Sequence, residues 1–430
     1  MTRSVVIAVC LWMSTSGLLR AQTLEVIPPQ AMVDESAVVR ADGLTPGERV
    51  SIRAELVDGA GHAWASAADF IADSQGIVDL SKQAPVKGSY SDLSPMGLVW
   101  SMKPSDDARS YASPPNLGAQ TIQFQLLRQG QQLSIAQLQQ RQVADTVRQI
   151  KINGQIHGTL FLPNASGPAP AVLVVGGSEG GEPLQKAAWL ASHGYVAFAL
   201  AYFRCADLPR DLEAIPLEYF GIALNWMMKR PEVLPDRVAV VGTSRGGELA
   251  LQLGSMYPQI AAVVAYVPAN VRYPACCGNN HLPYAWTRKG QPLAYIPVQF
   301  LRNPDPVTKM QASIAVEQTN GPVLLISGQD DGVWEWSPMA EAVVQRLRMS
   351  HFAHRVEHLD YPHAGHLAGR AEIVPAWHGT LPQPVSGRMT IFGGTPKGNA
   401  ESSIDAIGKV LQFLAQSLQT QTAPGHQSTQ

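Results

Sequence analysis

The strongest constraint on the fold is a regular alternation of apolar and amphipathic segments that begins after Ile152. Short, continuous apolar runs occur at 171–175, 196–200, 238–241, 261–266 and 323–326, and the more polar segment at 355–359 completes the series. Segments with apolar residues at helical spacing lie at 184–193, 217–229 and 404–418. Because a strand that is buried on both sides reads as a continuous apolar run, this alternation predicts a parallel sheet with helices on both faces.

The first third of the chain has a different pattern. Between residues 24 and 143, short segments carry apolar residues at every second position, and turn residues such as Asp58-Gly59 separate them. This pattern predicts an immunoglobulin-like β-sandwich. We therefore predict an α/β chain with a sandwich domain at 22–148 and a catalytic domain at 149–419. The tail at 420–430 has little apolar content and is expected to be disordered.

The N-terminal segment has the features of a secretory signal peptide. Arg3 precedes an apolar stretch at 5–13, polar residues follow, and Ala21 offers a small residue for cleavage. The stretch is shorter than the roughly 20 residues that a membrane span requires. We expect cleavage after Ala21 and a secreted or periplasmic location. The alternative is a buried strand of the first domain.

Cysteine content and charge narrow the possible partners. If residues 1–21 are removed, Cys205, Cys276 and Cys277 remain, and adjacent cysteines rarely bond each other, so no disulfide framework is expected. His281 lies near two of them, but no second cluster completes a four-ligand metal site, and we expect neither metal nor cofactor.

The net charge of −2 and the lack of Lys/Arg runs argue against nucleic acid or an anionic membrane as a partner.

Two copies of the pattern G-x-S-x-G are present, around Ser178 and Ser244. Both lie between an apolar run and a helical segment, so local context does not distinguish them. Ser244 is followed by an acidic turn at 330–331 and then by His366, which is the nucleophile, acid and base order of α/β hydrolases. We therefore predict Ser244 as the nucleophile. Ser178 follows the strand two places earlier, where this fold has a loop that donates an oxyanion N–H.

The acid and the base each have a competitor. Asp331 lies three positions after Gly328, the usual place for the acid in this fold, whereas Asp330 could instead cap the following helix. His366 follows Ala364-Gly365 after the last predicted strand and is the predicted base, with His363 as the alternative.

An oxyanion hole is predicted from backbone groups. The N–H of Arg245 would be one donor, and the N–H of Gly177 or Ser178 would be the other. The alternative for the glycine-rich segment at 176–181 is a plain tight turn.

Longer segments carry a more specific resemblance. In the first domain they are Asp34-Glu35, 43–46 and Ser94-Pro-Met-Gly-Leu-Val-Trp100, and in the second they are 158–163, 200–203, 207–209, 217–220, 328–331, Tyr361-Pro-His-Ala-Gly-His366 and 393–396. These segments resemble the type I acyl-CoA thioesterase and bile acid-CoA:amino acid N-acyltransferase family over nearly the whole mature chain. The resemblance implies a β-sandwich joined to an α/β hydrolase, with Ser244, Asp331 and His366 at the family's triad positions.

The resemblance implies a serine hydrolase that cleaves acyl thioesters through an acyl-enzyme. Amino-acid N-acyltransferases of this family use Cys as the nucleophile, so Ser244 favours hydrolysis over transfer. Because an exported protein would seldom meet CoA, a periplasmic carboxylesterase is the alternative, and a non-catalytic binding protein is a second one. Trp100, Trp334 and Trp336 are candidates for an acyl pocket, with packing between the domains as the alternative.

Overall fold

A computed structural model describes residues 21–106, 110–301, 303–334, 336–382 and 389–418. The predicted signal peptide, apart from Ala21, and the predicted disordered tail lie outside these residues. Within the described part of the chain, no helix is both long enough and apolar enough to span a bilayer.

The N-terminal region is a β-sandwich, as predicted. A three-stranded sheet with the order β1-β3-β6 packs on a larger sheet with the order β2-β10-β9-β4-β5-β7, to which β8 adds by pairing with β5. Burial alternates strictly along β4 and β5, so that Trp64 and Phe70 point into the shared core. The elements are β1 Thr23–Ile27, β2 Gln30–Met32, β3 Val38–Asp42, β4 Arg49–Val57, β5 Ala63–Ile71, β6 Val78–Asp79, β7 Lys87–Gly88, α1 Gly97–Trp100, β8 Lys103–Pro104, β9 Gln120–Arg128 and β10 Gln131–Arg141.

The second region contains an eight-stranded sheet with the order β11-β12-β14-β13-β16-β17-β20-β21. The strands from β14 to β21 are parallel, as the sequence predicts, whereas β11 and β12 add an antiparallel edge. The eight strands of this sheet are β11 Arg148–Ile152, β12 His157–Leu162, β13 Ala169–Val175, β14 Val196–Ala201, β16 Val233–Thr243, β17 Ile260–Tyr266, β20 Val323–Gly328 and β21 Val356–Tyr361. Outside it, β15 Ile215–Pro216, β18 Trp286–Arg288 and β19 Gln291–Pro292 form a small sheet, and β22 Thr380–Pro382 pairs with β23 Met389–Ile391.

Helices cover both faces of this sheet, which is the layering of the α/β-hydrolase fold. Neighbouring residues of a strand face opposite layers: Val240 belongs to the core cluster on one face of the sheet, whereas Val241 belongs to the cluster on the other face. The helices are α2 Leu184–Ser192, α3 Glu218–Met228, α4 Arg245–Met256, α5 Pro306–Ala312, α6 Trp336–Met349 and α7 Pro396–Leu418.

Helix α7 begins eight residues before the predicted helical segment. Pro396 occupies its first turn, where a missing N–H costs nothing, and the Thr395 Oγ1 accepts the Gly398 N–H at 2.9 Å. The first two turns are rich in small and polar residues, so apolar periodicity alone did not reveal them.

The expectation of no disulfide was wrong. Cys276 and Cys277 are bonded to each other, and Cys205 is a free thiol. The backbone of Cys276 pairs with Leu212, and the chain turns at Cys277, where φ is 82°. This reversal brings the sulfur atoms of the two adjacent residues together. The prediction relied on the general rule that adjacent cysteines rarely bond each other, and this pair is an exception.

The two regions are joined by apolar packing and by one buried carboxylate. Ile373 and Val374 of the catalytic region belong to the sandwich core. The Asp34 Oδ2 accepts the Trp189 indole N–H at 2.9 Å and lies 2.7 Å from the His193 Nε2. Because both partners are in or next to α2, the sandwich is fixed to a helix that packs on β12, β13 and β14 of the sheet.

Candidate active site

Ser244 lies on a sharp turn between β16 and α4. Its φ of 58° and ψ of −119° are strained for a residue with a side chain. A Cβ on Gly242 would lie 1.9 Å from the Gly246 carbonyl oxygen, and a Cβ on Gly246 would lie 2.4 Å from the Gly176 carbonyl oxygen. Only glycine fits at these two positions, so the motif that the sequence singled out is required by close backbone approach.

A continuous hydrogen-bonded chain links three predicted site residues. The Ser244 Oγ lies 3.1 Å from the His366 Nε2, and the His366 Nδ1 lies 2.8 Å from the Asp331 Oδ2. Ser244 and His366 are 6% and 7% exposed, and the Asp331 side chain is 1% exposed. Because these side chains are shielded from bulk water and hydrogen-bonded in series, the arrangement can transfer a proton from the hydroxyl to the imidazole.

Asp331 and Asp330 have different surroundings. The Asp331 Oδ1 accepts the Val333 and Trp334 N–H groups at 2.8 and 3.3 Å, which fixes its carboxylate toward His366. Asp330 pairs instead with His363 at 3.5 Å, and both side chains are about half exposed or more. The structure therefore brings Asp331 and His366 together with Ser244, and it places both competitors at the surface.

Asn399 in α7 supports the loop that carries His366, a role the sequence analysis missed. Its Oδ1 accepts the Gly365 N–H at 2.8 Å, and the His366 N–H is donated to the Phe392 carbonyl at 2.7 Å. The Phe392 ring meets the imidazole edge to face, with the ring centres 5.3 Å apart. No local pattern marks Asn399, because its partner lies 34 residues earlier in the chain.

Two of the predicted oxyanion donors, Gly177 and Arg245, lie next to Ser244, and the Gly177 N–H already has an acceptor. The Gly177 N–H is donated to the Glu179 Oε1 at 2.8 Å. A Cβ built on Gly177 would lie 3.4 Å from the Ser244 Cβ, so this loop is adjacent to the nucleophile. Arg245 is the first residue of α4, where backbone N–H groups have no helical partner. Ser178 lies in the same loop as Gly177, outside any strand or helix.

A buried ion pair lies directly behind the nucleophile. The Arg245 Nε and the Glu248 Oε2 are 3.1 Å apart, and both side chains are fully buried. Arg245 also donates to the Pro274 and Tyr273 carbonyls, and Glu248 accepts the Trp286 indole N–H at 2.6 Å. Burial raises the pKa of Glu248, and the Arg245 guanidinium opposes that shift. These contacts fix the first turn of α4, whose N-terminal end faces the site.

A cavity of about 420 Å³ opens beside His366 and Thr243. Its wall includes Lys186 of α2 and, from the sandwich, Val33 and Ser113, so it lies where the two regions meet. Trp100 packs in the sandwich core, and Trp334 stacks on Tyr273 with ring centres 4.6 Å apart. Neither side chain lines this cavity.

Among the described residues, no group of three or more His, Cys, Asp or Glu side chains is arranged to hold a metal ion.

Fold and site together define the class of the protein, an α/β hydrolase with an N-terminal β-sandwich. The profile described as "BAAT / Acyl-CoA thioester hydrolase C terminal" matches residues 215–420, and "Acyl-CoA thioester hydrolase/BAAT N-terminal region" matches residues 34–154. The chain is 30% identical to the peroxisomal succinyl-coenzyme A thioesterase of Mus musculus over 93% of this chain and 97% of the relative. It is also 30% identical to acyl-coenzyme A thioesterase 1 of Homo sapiens, with 92% and 95% covered.

The chain therefore belongs to the acyl-CoA thioester hydrolase/BAAT family, and it is an enzyme of the thioester hydrolase class. The family resemblance stated from the sequence is confirmed.

Solved structures of similar proteins include an α/β hydrolase from a Medee basin deep-sea metagenome library. It is 17% identical, with a TM-score of 0.38, and the match covers 64% of this chain and 99% of that chain. The esterase Est22 is 13% identical, with a TM-score of 0.41, and the match covers 63% and 82%. The assignment of the fold depends on the sheet order and layering described above.

Proposed function

We propose that this enzyme hydrolyses acyl-CoA thioesters through a covalent acyl-enzyme on Ser244. The main support for the proposal is the pair of hydrogen bonds that connects Ser244 to His366 and His366 to Asp331 in a member of this family. Relatives along nearly the whole chain are named acyl-coenzyme A thioesterases. Ser244 rather than a cysteine at the nucleophile position favours hydrolysis over transfer to an amine.

The chemistry follows from the geometry in two steps. His366 takes the Ser244 hydroxyl proton through Nε2 while the oxygen attacks the thioester carbonyl, and the C–S bond then breaks as the sulfur leaves with that proton as a thiol. A water molecule, deprotonated by His366, next attacks the ester carbonyl and restores Ser244 with release of the carboxylic acid. Proton transfer of this kind contributes about 10²–10⁴-fold to the rate.

The negative charge on the carbonyl oxygen requires donors. The Arg245 N–H supplies one, and a group from the Gly177-Ser178 loop supplies the second. Since the Gly177 N–H is donated to Glu179, either the substrate oxygen displaces that carboxylate or Ser178 is the donor. Each such donor contributes on the order of 3 kcal/mol to stabilising the transition state.

We also propose that the enzyme is exported from the cytoplasm. The apolar segment at 5–13 supports export, and residues 1–20 lie outside the described part of the structure. An exported enzyme would act on thioesters or esters found outside the cytoplasm.

The test measures thiol release from acyl-CoA by the wild-type enzyme and two serine variants. Ser244→Ala should lower kcat/KM by about 10⁴-fold or more because the covalent route is lost. Ser178→Ala is the matched change in the other G-x-S-x-G copy. It keeps the backbone N–H at position 178, so its kcat/KM should fall far less. Equal activity of Ser244→Ala and the wild type on every thioester and ester tested would exclude the proposal.

A further inference from the structure

The cavity beside His366 is lined by a lysine ammonium group. Lys186 lies in the first turns of α2, and its ammonium nitrogen sits 3.4 Å from the centre of the Tyr266 ring. In the described part of the chain, its ammonium group forms no ion pair with a carboxylate, whereas the neighbouring Arg370 is paired with Glu372 at 2.8 Å. Lys186 is therefore the cation of this cavity that remains available to a ligand.

Lys186 is close to the reacting centre. Tyr266, on whose ring the ammonium lies, is the residue whose carbonyl accepts the Ser244 N–H at 2.9 Å. The same cavity is lined by His366, whose Nε2 is 3.1 Å from the Ser244 Oγ, and by Thr243, the residue before the nucleophile. A group bound at Lys186 would thus belong to a molecule that is held at Ser244.

Leaving this ammonium unpaired is costly. Burial, the largest cause, and the nearby Arg370 lower the pKa of Lys186 to about 7, against the opposing effects of Glu372 and Glu179. A lysine near a helix N-terminus is also poorly placed with respect to the helix dipole. An anion from the substrate would offset both penalties, whereas a plain alkyl chain would increase the desolvation of the charge.

We propose that Lys186 binds an anionic group of the substrate, a carboxylate or a phosphate, in the cavity between α2 and the His366 loop. This inference rests on the proposed thioesterase function and adds the chemical character of the substrate. A carboxylate would come from the far end of the acyl group. A phosphate would come from the CoA leaving group.

Four thioesters separate these sources: adipoyl-CoA, hexanoyl-CoA and the N-acetylcysteamine thioesters of the same two acyl groups. They are assayed with the full-length wild-type enzyme, Lys186→Met, Lys186→Arg and Lys409→Met, the last being an exposed lysine of α7. If the anion is the acyl carboxylate, Lys186→Met lowers the adipoyl-to-hexanoyl ratio of kcat/KM by about tenfold with both leaving groups. If it is a phosphate, the CoA-to-N-acetylcysteamine ratio falls by about tenfold with both acyl groups.

The controls make the result specific to the charge. Lys186→Arg should largely keep the affected ratio, and Lys409→Met should keep both. If Lys186→Met does not fold, Lys186→Gln replaces it. Unchanged ratios in a folded, active Lys186 variant would overturn the inference and leave the proposed function intact. If the wild type cleaved none of the four thioesters, the proposed function itself would fail.

Discussion

Asp330 and Asp331 are neighbours in the sequence but have separate tasks in the structure. The Asp331 carboxylate is almost fully buried and faces His366, and two backbone N–H groups fix it in that position. Asp330 is about half exposed and pairs with His363. A difference of one position thus decides which carboxylate can orient the imidazole, and burial decides how strongly it does so.

The two aspartates give a matched pair of variants. Asp331→Asn should lower kcat by about 10⁴-fold, because an amide in this position stabilises the wrong imidazole tautomer and does not stabilise the imidazolium. Asp330→Asn should change kcat by much less. Steady-state thiol release measures both variants, and a larger loss for Asp330→Asn would assign the acid to the other carboxylate.

At the scale of elements, the turn from β16 into α4 was predictable because its requirements are local. Small residues must flank Ser244 wherever the backbone approaches itself closely, and Gly242 and Gly246 meet that need in the sequence itself. The positions of the central strands could also be predicted, because strands that are buried on both faces are continuous apolar runs in the sequence.

Features that depend on distant contacts were not predictable. Asn399 reaches Gly365 across 34 positions, and the bond between Cys276 and Cys277 depends on a local reversal of the chain. The hydrogen bond from the Gly177 N–H to Glu179 depends on the conformation of the loop, which the sequence does not specify. The antiparallel edge formed by β11 and β12 was also missed, because β12 is buried along its length and does not alternate.

The buried pair of Arg245 and Glu248 is predicted to stabilise the first turn of α4. Glu248→Gln leaves a buried guanidinium without its counter-charge and should lower the free energy of unfolding by about 3–5 kcal/mol. Glu317→Gln removes the partner of Arg346 in a more exposed pair and should cost about 1 kcal/mol or less. Denaturant unfolding of both variants tests this, and equal losses would show that burial of the pair has no special importance.

At the scale of the whole molecule, Asp34 connects the sandwich to the catalytic region through Trp189 and His193. The cavity beside His366 has walls from both regions, so this junction also determines the shape of that cavity. The sandwich is therefore expected to influence substrate binding as well as stability.

The Asp34 contact predicts a pH dependence of stability. The hydrogen bond that the Asp34 carboxylate accepts from His193 raises the pKa of His193 above its ordinary value of 6.5, although burial opposes the shift. A group whose folded-state pKa is raised stabilises the fold fully below its unfolded-state pKa, and this contribution is lost as pH rises through the raised value. The melting temperature of His193→Gln should therefore fall furthest below the wild type at pH about 5.5, with the gap shrinking at alkaline pH. A gap that widens with pH would contradict this assignment.

The most direct test of the central claim is to capture the acyl group on the enzyme. Wild-type protein is mixed with hexanoyl-CoA, quenched in acid during turnover, digested and analysed by mass spectrometry. We predict a peptide containing Ser244 with one hydrogen replaced by a hexanoyl group, formed with a burst of free thiol and absent from Ser244→Ala. Turnover with the acyl group on a different residue, or thiol release with the same rate in Ser244→Ala, would contradict the acyl-enzyme mechanism.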